Sequence, residues 1–249
     1  TNGIGYADLL FEIHDFDVNT VHYLGLLKSV LGAVDTENYS YGELFNEVNA
    51  RTGGISYGIE VFDDAQDTDA FRAMFAVRGK ALYPEMDFMF SMIREVLTTS
   101  KLTDTKRLYE IIARVKSRAQ ASLASAGHST AVLRGASYAS PMAAFQDEMA
   151  GIGYYQFIEK LEKDFEQRKE ETVEELCKLM KKILRPENFM ISYTGERESL
   201  ETVQKLAGAV KAGLGTEPVE KSKEKLTCTK KNEGFKTSGQ VQYVAQTGN

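Results

Sequence analysis

The stretch SYGELFNEVNARTGGISYGIEVF, residues 40–62, determines how this chain folds. Ser40 followed by Glu43 is the capping-box pattern that begins a helix, because each side chain can bind the backbone amide of the other residue. Gly53 and Gly54 end the helix, since glycine adopts backbone conformations that are closed to other residues. Apolar residues then alternate from Ile55 onward, the period of a strand with one face on a core. The stretch therefore predicts a helix that leads directly into a strand.

Three further strands and several helices are predicted on either side of this stretch. Alternating apolar residues indicate strands at residues 6–14, 71–77 and 189–193. Apolar residues at helical spacing predict helices over residues 21–31, 82–96, 108–123, 173–183 and 200–210, with short helices within residues 128–155. Because the strands cluster as hairpins and the helices lie between them, we expect an α+β fold with a mostly antiparallel sheet and helices packed on one face. This pattern disfavours a doubly wound parallel sheet.

The composition divides the chain into three parts. Residues 1–215 carry the periodic patterns and are predicted to form one domain. Residues 216–239 are rich in Lys, Glu, Ser and Thr without periodicity, which is typical of a solvated linker. Residues 240–249 alternate like a strand that has no following strand to pair with. We therefore expect this end to be the truncated first strand of a following domain, and the chain to be a fragment of a larger protein.

The charge and composition exclude some classes of function. The 249 residues carry a formal net charge of −6, and 43% of them are hydrophobic. A nucleic-acid-binding domain normally shows a basic patch, so no nucleic-acid partner is expected. No apolar run approaches the roughly 18 to 20 residues needed to cross a bilayer, so no membrane partner is expected. Cys177 and Cys228 lack C-x-x-C spacing, and the cytoplasm, a reducing compartment, is the predicted location.

The sequence contains no zinc-peptidase motif. Such a motif places two His residues four positions apart on one helix, with a Glu beside one of them that activates the metal-bound water. The inverted form, His-x-x-Glu-His, has the same His spacing. The chain has only His14, His22 and His128, whose separations fit neither form. We therefore predict no catalytic and no metal-binding residue in this chain, and no cofactor of its own.

Three stretches, taken in their order and spacing, are similar to one family of peptidases. They are residues 40–62, quoted above, SYASPMAAFQDEMAGIGYYQFI at residues 137–158, and FMISYTG at residues 189–195. Together they resemble the non-catalytic C-terminal half of the pitrilysin/insulinase family of metallopeptidases, specifically its presequence-protease branch. The resemblance implies that residues 1–215 are an inactive peptidase-like domain, the third of four in the parent protein.

The resemblance also implies a function for the parent and a supporting role for this part. The family implies a zinc-dependent endopeptidase that encloses unstructured peptides between two halves, with the zinc ligands in the N-terminal half and outside this chain. This piece is then expected to hold no zinc, to be inactive alone, and to form a wall of the chamber. Its expected partners are the N-terminal catalytic half and the peptide substrates. The matrix of an organelle is a second expected location.

Five residues are candidates for contact with substrate or with the other half. They lie at or beside the stretch most similar to the presequence-protease branch: Arg134, Ser137, Tyr138, Tyr154 and Tyr155. Packing in the core or at a domain interface is the alternative for all five. The strand predicted at residues 55–62 is another candidate, because an exposed sheet edge can add an extended peptide as an extra strand.

Two other classes of function stay open at the level of the sequence. One is a stand-alone interaction protein built on a catalytically dead peptidase fold, which predicts a natural start and a completed second domain. The other is an independent α+β binding module, which predicts a surface without a large apolar patch for a partner half.

Overall fold

The computed structural model describes residues 2–14, 16–67, 69–219, 226–236 and 241–248. Its centre is a four-stranded sheet in which all neighbouring strands are antiparallel. The strands are β1 (Ile4–Ile13), β2 (Ile55–Asp63), β3 (Phe71–Leu82) and β4 (Phe189–Thr194), and their order across the sheet is β2-β3-β1-β4. The strand predicted at residues 55–62 therefore lies at a sheet edge.

The two faces of the sheet have opposite character. The inner face carries fully buried side chains, among them Leu9 and Phe11 of β1 and Phe75 of β3. The outer face carries ion pairs between strands, such as Arg72 Nε and Glu12 Oε1 at 2.8 Å. This alternation is the one that a half-buried antiparallel sheet requires. The predicted α+β class, an antiparallel sheet with a helical layer, is confirmed.

Nine α-helices are formed by the described residues, and six of them lie between β3 and β4 in the sequence. They are α1 (Val18–Val30), α2 (Tyr41–Arg51), α3 (Met86–Thr99), α4 (Thr105–Ser125), α5 (Gly127–Ala136), α6 (Pro141–Ala150), α7 (Ile152–Lys163), α8 (Phe165–Ile183) and α9 (Leu200–Ala212). The capping box predicted for α2 is present, since Ser40 N donates to Glu43 Oε2 at 2.9 Å and Glu43 N donates to Ser40 Oγ at 3.3 Å. None of the described helices is both long and apolar enough to cross a bilayer.

Helix α1 lies in the middle of the helical layer. Asp17 caps its N-terminus, because the Asp17 side chain accepts a hydrogen bond from Thr20 N at 2.9 Å, and the helix contacts α4, α6, α7 and α8. Gly25 permits a close approach to two of these helices. A Cβ atom added there would lie 2.6 Å from the backbone oxygen of Met149 and 2.6 Å from the ring of Tyr154. The absence of a side chain at Gly25 therefore fixes how closely α6 and α7 pack on α1.

The helices lie where the sequence predicts them, and one of them is longer than predicted. The Ala-, Ser- and Gly-rich residues 128–155 form the predicted short helices, α5 and α6 and the start of α7. The helix predicted at residues 173–183 begins earlier, at Phe165. Its first turns are stabilised by charged pairs one turn apart, such as Arg168 and Glu171 at 2.8 Å. The apolar residues Leu161, Phe165 and Val173 within this charged run are at helical spacing, so the charged side chains are the outward faces of helices, as the sequence predicts.

The part of the chain after α9 differs from the prediction. The described residues of the predicted linker form no helix or strand, but they are not fully solvated: Leu226 packs against the core and Glu233 binds Arg134. Residues 241–248 do not form the predicted strand, because no described strand offers them a ladder for their backbone groups. The ring of Tyr243 instead lies beside Gly127 at the start of α5. The assignment of this end to a following domain stays a prediction.

Candidate functional site

The structure places three of the five predicted residues together and the other two on a different helix. Arg134 lies in the last turn of α5, Ser137 follows that helix directly, and Tyr138 is in the turn before α6. Tyr154 and Tyr155 lie near the start of α7. Arg134, Ser137 and Tyr138 lie in one corner of the helical layer, where Arg134 binds a buried carboxylate, and this corner is the candidate site.

A buried carboxylate, that of Asp147 on α6, organises this corner of the molecule. Its side chain is 1% exposed. Asp147 Oδ1 accepts a hydrogen bond from Ile152 N at 3.1 Å, and Oδ2 accepts one from Gly153 N at 3.1 Å. These are the first amides of α7, which have no acceptor within their helix and carry partial positive charge. Gly151 makes the contact possible, because a side chain there would collide with the Asp147 carboxylate.

Arg134 connects Asp147 to the segment that follows α9. Its Nη1 atom donates to Asp147 Oδ2 at 2.6 Å. Its Nε and Nη2 atoms donate to Glu233 Oε2 and Oε1 at 2.9 and 3.1 Å, a bidentate pair. Tyr138 Oη donates to Glu233 Oε2 at 2.9 Å. We call Arg134, Tyr138, Asp147 and Glu233 the Arg134 cluster.

Burial and charge act in opposite directions at this cluster. The side chain of Arg134 is 9% exposed, and burial by itself disfavours its charged form. The hydrogen bonds and charges of Glu233 and Asp147 outweigh that effect, so the pKa of Arg134 is raised. The pKa of Glu233 is lowered, chiefly because Arg134 donates hydrogen bonds to its carboxylate. Arg134 therefore stays positive and Glu233 negative at neutral pH.

Two aromatic rings flank the guanidinium group of Arg134. The ring centroids of Tyr138 and Phe235 lie 5.8 and 5.7 Å from Arg134 Cζ, within the range of a cation–π contact. Burial, with the hydrogen bond to Glu233 adding to it, raises the pKa of the Tyr138 hydroxyl, which therefore keeps the proton that it donates. Ser137 Oγ donates to the backbone oxygen of Arg134 at 2.7 Å and holds the end of α5. The chemistry that this arrangement supports is the binding of a carboxylate.

Tyr154 and Tyr155 occupy other surroundings. Tyr154 is 4% exposed, packs against α1 at Gly25, and has a hydroxyl group with no hydrogen-bond partner in the described structure. Burial raises the pKa of this hydroxyl. Tyr155 is half-buried, and its hydroxyl donates to Glu159 Oε1 at 2.7 Å. Tyr154 therefore has the position of a core residue, and Tyr155 that of a surface residue on α7.

The three histidines have separate surroundings. His22 Nε2 lies 2.7 Å from Glu148 Oε2, and the His22 ring stacks on Phe157 with centroids 4.4 Å apart. His128 lies in α5, and His14 follows β1. In the described parts of the chain, no three His, Cys, Asp or Glu side chains converge where a metal ion could bind. The described residues therefore do not fit the zinc ion that the resemblance implies for the parent.

Two members of the cluster lie outside the residues predicted from the sequence. Asp147 has a signal, because it lies three and four residues after the buried Ala144 and Ala143 and so falls on the apolar face of α6. An acid on an apolar helix face needs a buried partner. Glu233 has no such signal, because it lies in a segment without periodicity.

Known proteins match this chain along most of its length. Residues 1–161 match the family model for the domain associated with peptidases of the M16 family, subfamily C. "Protein HypA" of Clostridium perfringens (strain 13 / Type A) is 31% identical over 249 residues, which cover 100% of this chain and 25% of that protein. The mitochondrial presequence protease of Yarrowia lipolytica is 27% identical over 168 residues, which cover 68% of this chain and 17% of that protein. The chain thus spans a quarter or less of the length of these relatives.

A solved structure shares the fold. The peptidase M16 inactive domain from Pseudomonas fluorescens matches with a TM-score of 0.56 and 14% identity over 89% of this chain and 48% of that one. At this identity the likeness shows the fold alone. The family match covers more than half of the chain, so the resemblance to a non-catalytic part of the pitrilysin/insulinase peptidases, the M16 family, is confirmed. This chain belongs to the M16 peptidases, in the family of domains associated with subfamily C.

Proposed function

We propose that this chain is one part of a zinc-dependent endopeptidase that degrades unstructured peptides in an enclosed chamber. In this proposal it supplies part of the chamber wall and contacts the N-terminal catalytic half, which holds the zinc. The observation that carries the proposal is the family match over residues 1–161, together with a relative four times as long as the aligned region. We propose the cytoplasm as its compartment, with an organelle matrix as the alternative that the mitochondrial relative supports.

The outer sheet face is the surface that we assign to the contact between the halves. It consists of the alternate residues of β1 to β4 that point away from the helices. Several large apolar side chains are exposed on it: Tyr6, Phe62, Leu82 and Met190. Charged groups lie among them, with Arg78 Nη1 at 2.9 Å from Glu60 Oε1. This mixture of apolar and charged groups fits a contact between domains of one polypeptide, which is more polar than an obligate interface.

The five predicted contact residues differ in how far they are exposed, and we propose different roles for them. Tyr138 and Tyr155 are half-buried, and we keep them as proposed contacts with substrate or with the other half. Arg134, Ser137 and Tyr154 are buried. In the proposal they act by holding α5, α6 and α7 in place.

The test of this function is reconstitution from separate parts. The chain is purified alone and mixed with the separately made catalytic half of its parent, and zinc content and cleavage of an unstructured basic peptide are measured. We expect no stoichiometric zinc and no cleavage for the chain alone, and cleavage on mixing. Stoichiometric zinc with chelator-sensitive cleavage by the chain alone would refute the proposal. Binding to the half without restored cleavage would favour a stand-alone interaction protein instead.

A pair of variants tests the assigned surface. Leu82→Glu places a charge on the outer sheet face, whereas Leu200→Glu places one at the start of α9, which packs on α3 in the helical layer. Both side chains are exposed, so neither change disturbs the core. We expect Leu82→Glu to weaken reconstitution at least tenfold, about the effect of one desolvated charge at an interface, and Leu200→Glu to leave it unchanged. Equal effects of the two variants would exclude the outer sheet face as the contact.

A further inference from the structure

The Arg134 cluster divides into a fixed part and an added part. The fixed part belongs to α5, α6 and the turn between them: Arg134 binds Asp147, and the ring of Tyr138 lies against the Arg134 guanidinium. Asp147 accepts three hydrogen bonds within this corner: Oδ1 accepts from Ile152 N, and Oδ2 accepts from Gly153 N and from Arg134 Nη1. It therefore holds one edge of the guanidinium in a single orientation. The other edge points to Glu233.

The added part is the carboxylate of Glu233, which comes from far along the chain. Glu233 is separated from Arg134 by 99 positions. Residues 226–236 form no helix or strand and make no backbone hydrogen bond to the rest of the described chain. Their contacts with the helices are made by side chains, with Glu233 and Phe235 on Arg134. Such a segment can separate from α5 and α6 without breaking any ladder of backbone bonds.

Without Glu233, the fixed part of the cluster would contain hydrogen-bond donors that have no acceptor. Arg134 Nε and Nη2 and the Tyr138 hydroxyl are three donors that converge on one carboxylate. The Arg134 side chain is 9% exposed, so water replaces a lost acceptor poorly. A planar fork of two N–H donors matches a carboxylate in both shape and charge.

We propose that α5 and α6 form a carboxylate-binding site, held by Glu233 of the same chain, that accepts a glutamate side chain of another peptide when Glu233 leaves. The geometry of three convergent donors around a buried guanidinium carries this assignment. The site does not depend on zinc or on peptide cleavage. The proposal therefore stands or falls separately from the proposed function.

The test uses the whole chain and a peptide copy of its own segment. The probe is a fluorescein-labelled peptide of residues 226–236 with Ser in place of Cys228, and its binding is followed by fluorescence anisotropy. The proteins are the unaltered chain, Glu233→Gln, and the matched control Glu47→Gln on the exposed side of α2. We expect Glu233→Gln to bind the probe roughly tenfold or more tightly than the other two, since loss of a charge-assisted pair weakens the competing internal segment.

The chemistry of the probe decides whether the site reads a carboxylate. A second probe carries Gln at the position of Glu233, and we expect it to bind the Glu233→Gln chain roughly tenfold more weakly than the first probe. Adding Arg134→Lys, which keeps the charge but removes the planar fork of donors, should reduce the difference between the probes. If the Arg134→Lys variant does not fold, Tyr138→Phe replaces it in the test, because it removes one of the three donors. We expect Tyr138→Phe to weaken binding of the first probe, by less than Arg134→Lys would, and to leave binding of the second probe unchanged. Equal binding of both probes, equal binding by altered and unaltered chains, or no binding at millimolar probe would each overturn the proposal.

Discussion

Replacing Asp147 with Ala should lower the free energy of unfolding by about 3 to 5 kcal/mol. The change removes the acceptor of two backbone amides, Ile152 N and Gly153 N, both at 3.1 Å in the structure. A buried donor left without an acceptor costs about 1 to 3 kcal/mol. The change also removes the counter-charge that lies 2.6 Å from Arg134 Nη1. Arg134 keeps Glu233 as a second partner, so the two amides account for most of the expected cost and the lost counter-charge adds little.

The assay is urea unfolding followed by far-ultraviolet circular dichroism, because the chain has no Trp and therefore no tryptophan fluorescence to follow. The matched control is Gln146→Ala, the preceding residue of the same helix, which is half-buried and makes no side-chain hydrogen bond in the described structure. We expect the control to change the free energy of unfolding by less than about 0.5 kcal/mol. The two substitutions differ by one position, so the helix propensity of Ala contributes similarly to both.

A third variant separates the two contributions of Asp147. Asp147→Asn keeps an acceptor oxygen for the amides of α7 but removes the negative charge, and we expect it to cost about 1 to 3 kcal/mol. If Asp147→Ala costs no more than Gln146→Ala, the amides and the guanidinium are satisfied in other ways. That result would refute the argument that Asp147 organises the corner between α5, α6 and α7.

Two further measurements test other features of the structure. Gly25→Ala should lower the free energy of unfolding by about 1 to 3 kcal/mol, because the added methyl group overpacks against α6 and α7. Gly208 lies on the exposed side of α9 with open space around it, so Gly208→Ala should raise the free energy of unfolding by about 0.5 to 1 kcal/mol. Urea titrations of both variants check this pair, and a stabilising effect of Gly25→Ala would contradict the close approach. The second measurement is pH dependence. The pKa of the Glu233 carboxylate is lowered from 4.5 in the folded chain, so as the pH falls the unfolded chain takes up the Glu233 proton before the folded chain does. The contribution of ionised Glu233 to the free energy of unfolding is therefore complete above pH 4.5 and is lost as the pH falls through the lowered pKa. The stability difference between the unaltered chain and Glu233→Gln should therefore shrink below pH 4.5, and a difference that stays constant would contradict the assigned pairing.

Much of the fold could be predicted because its signals are local. The capping box at Ser40 and Glu43 concerns one turn of helix, and the strands alternate over short runs. The order of the strands could not be predicted in this way. It depends on β1 accepting β3 on one side and β4 on the other, and residues far apart in the sequence decide that pairing. Family resemblance supplies the fold where local patterns leave the topology open.

The candidate site was less predictable, because its parts are far apart in the chain. Arg134, Ser137 and Tyr138 lie at or beside a stretch that resembles the family, and they are together in the structure. The role of Asp147 depends on the turn at Gly151, which lets one side chain reach two amides of the next helix. Glu233 belongs to a segment that composition describes as a solvated linker. In the folded chain Glu233 binds the buried Arg134 of α5, and no local sequence pattern predicts that these two residues meet.

The position of β1 has a consequence for how this chain is made. β1 precedes the other three strands in the sequence and leaves the ribosome before them, yet one of its partners, β4, comprises residues 189–194. Until β4 is synthesised, β1 has an unpaired edge whose N–H and C=O groups can bind other chains. Contacts between residues so far apart also form slowly, since a long loop must close first. The nascent chain therefore passes through a long interval in which its sheet is incomplete, and we expect its yield in cells to depend on chaperones that cover that edge.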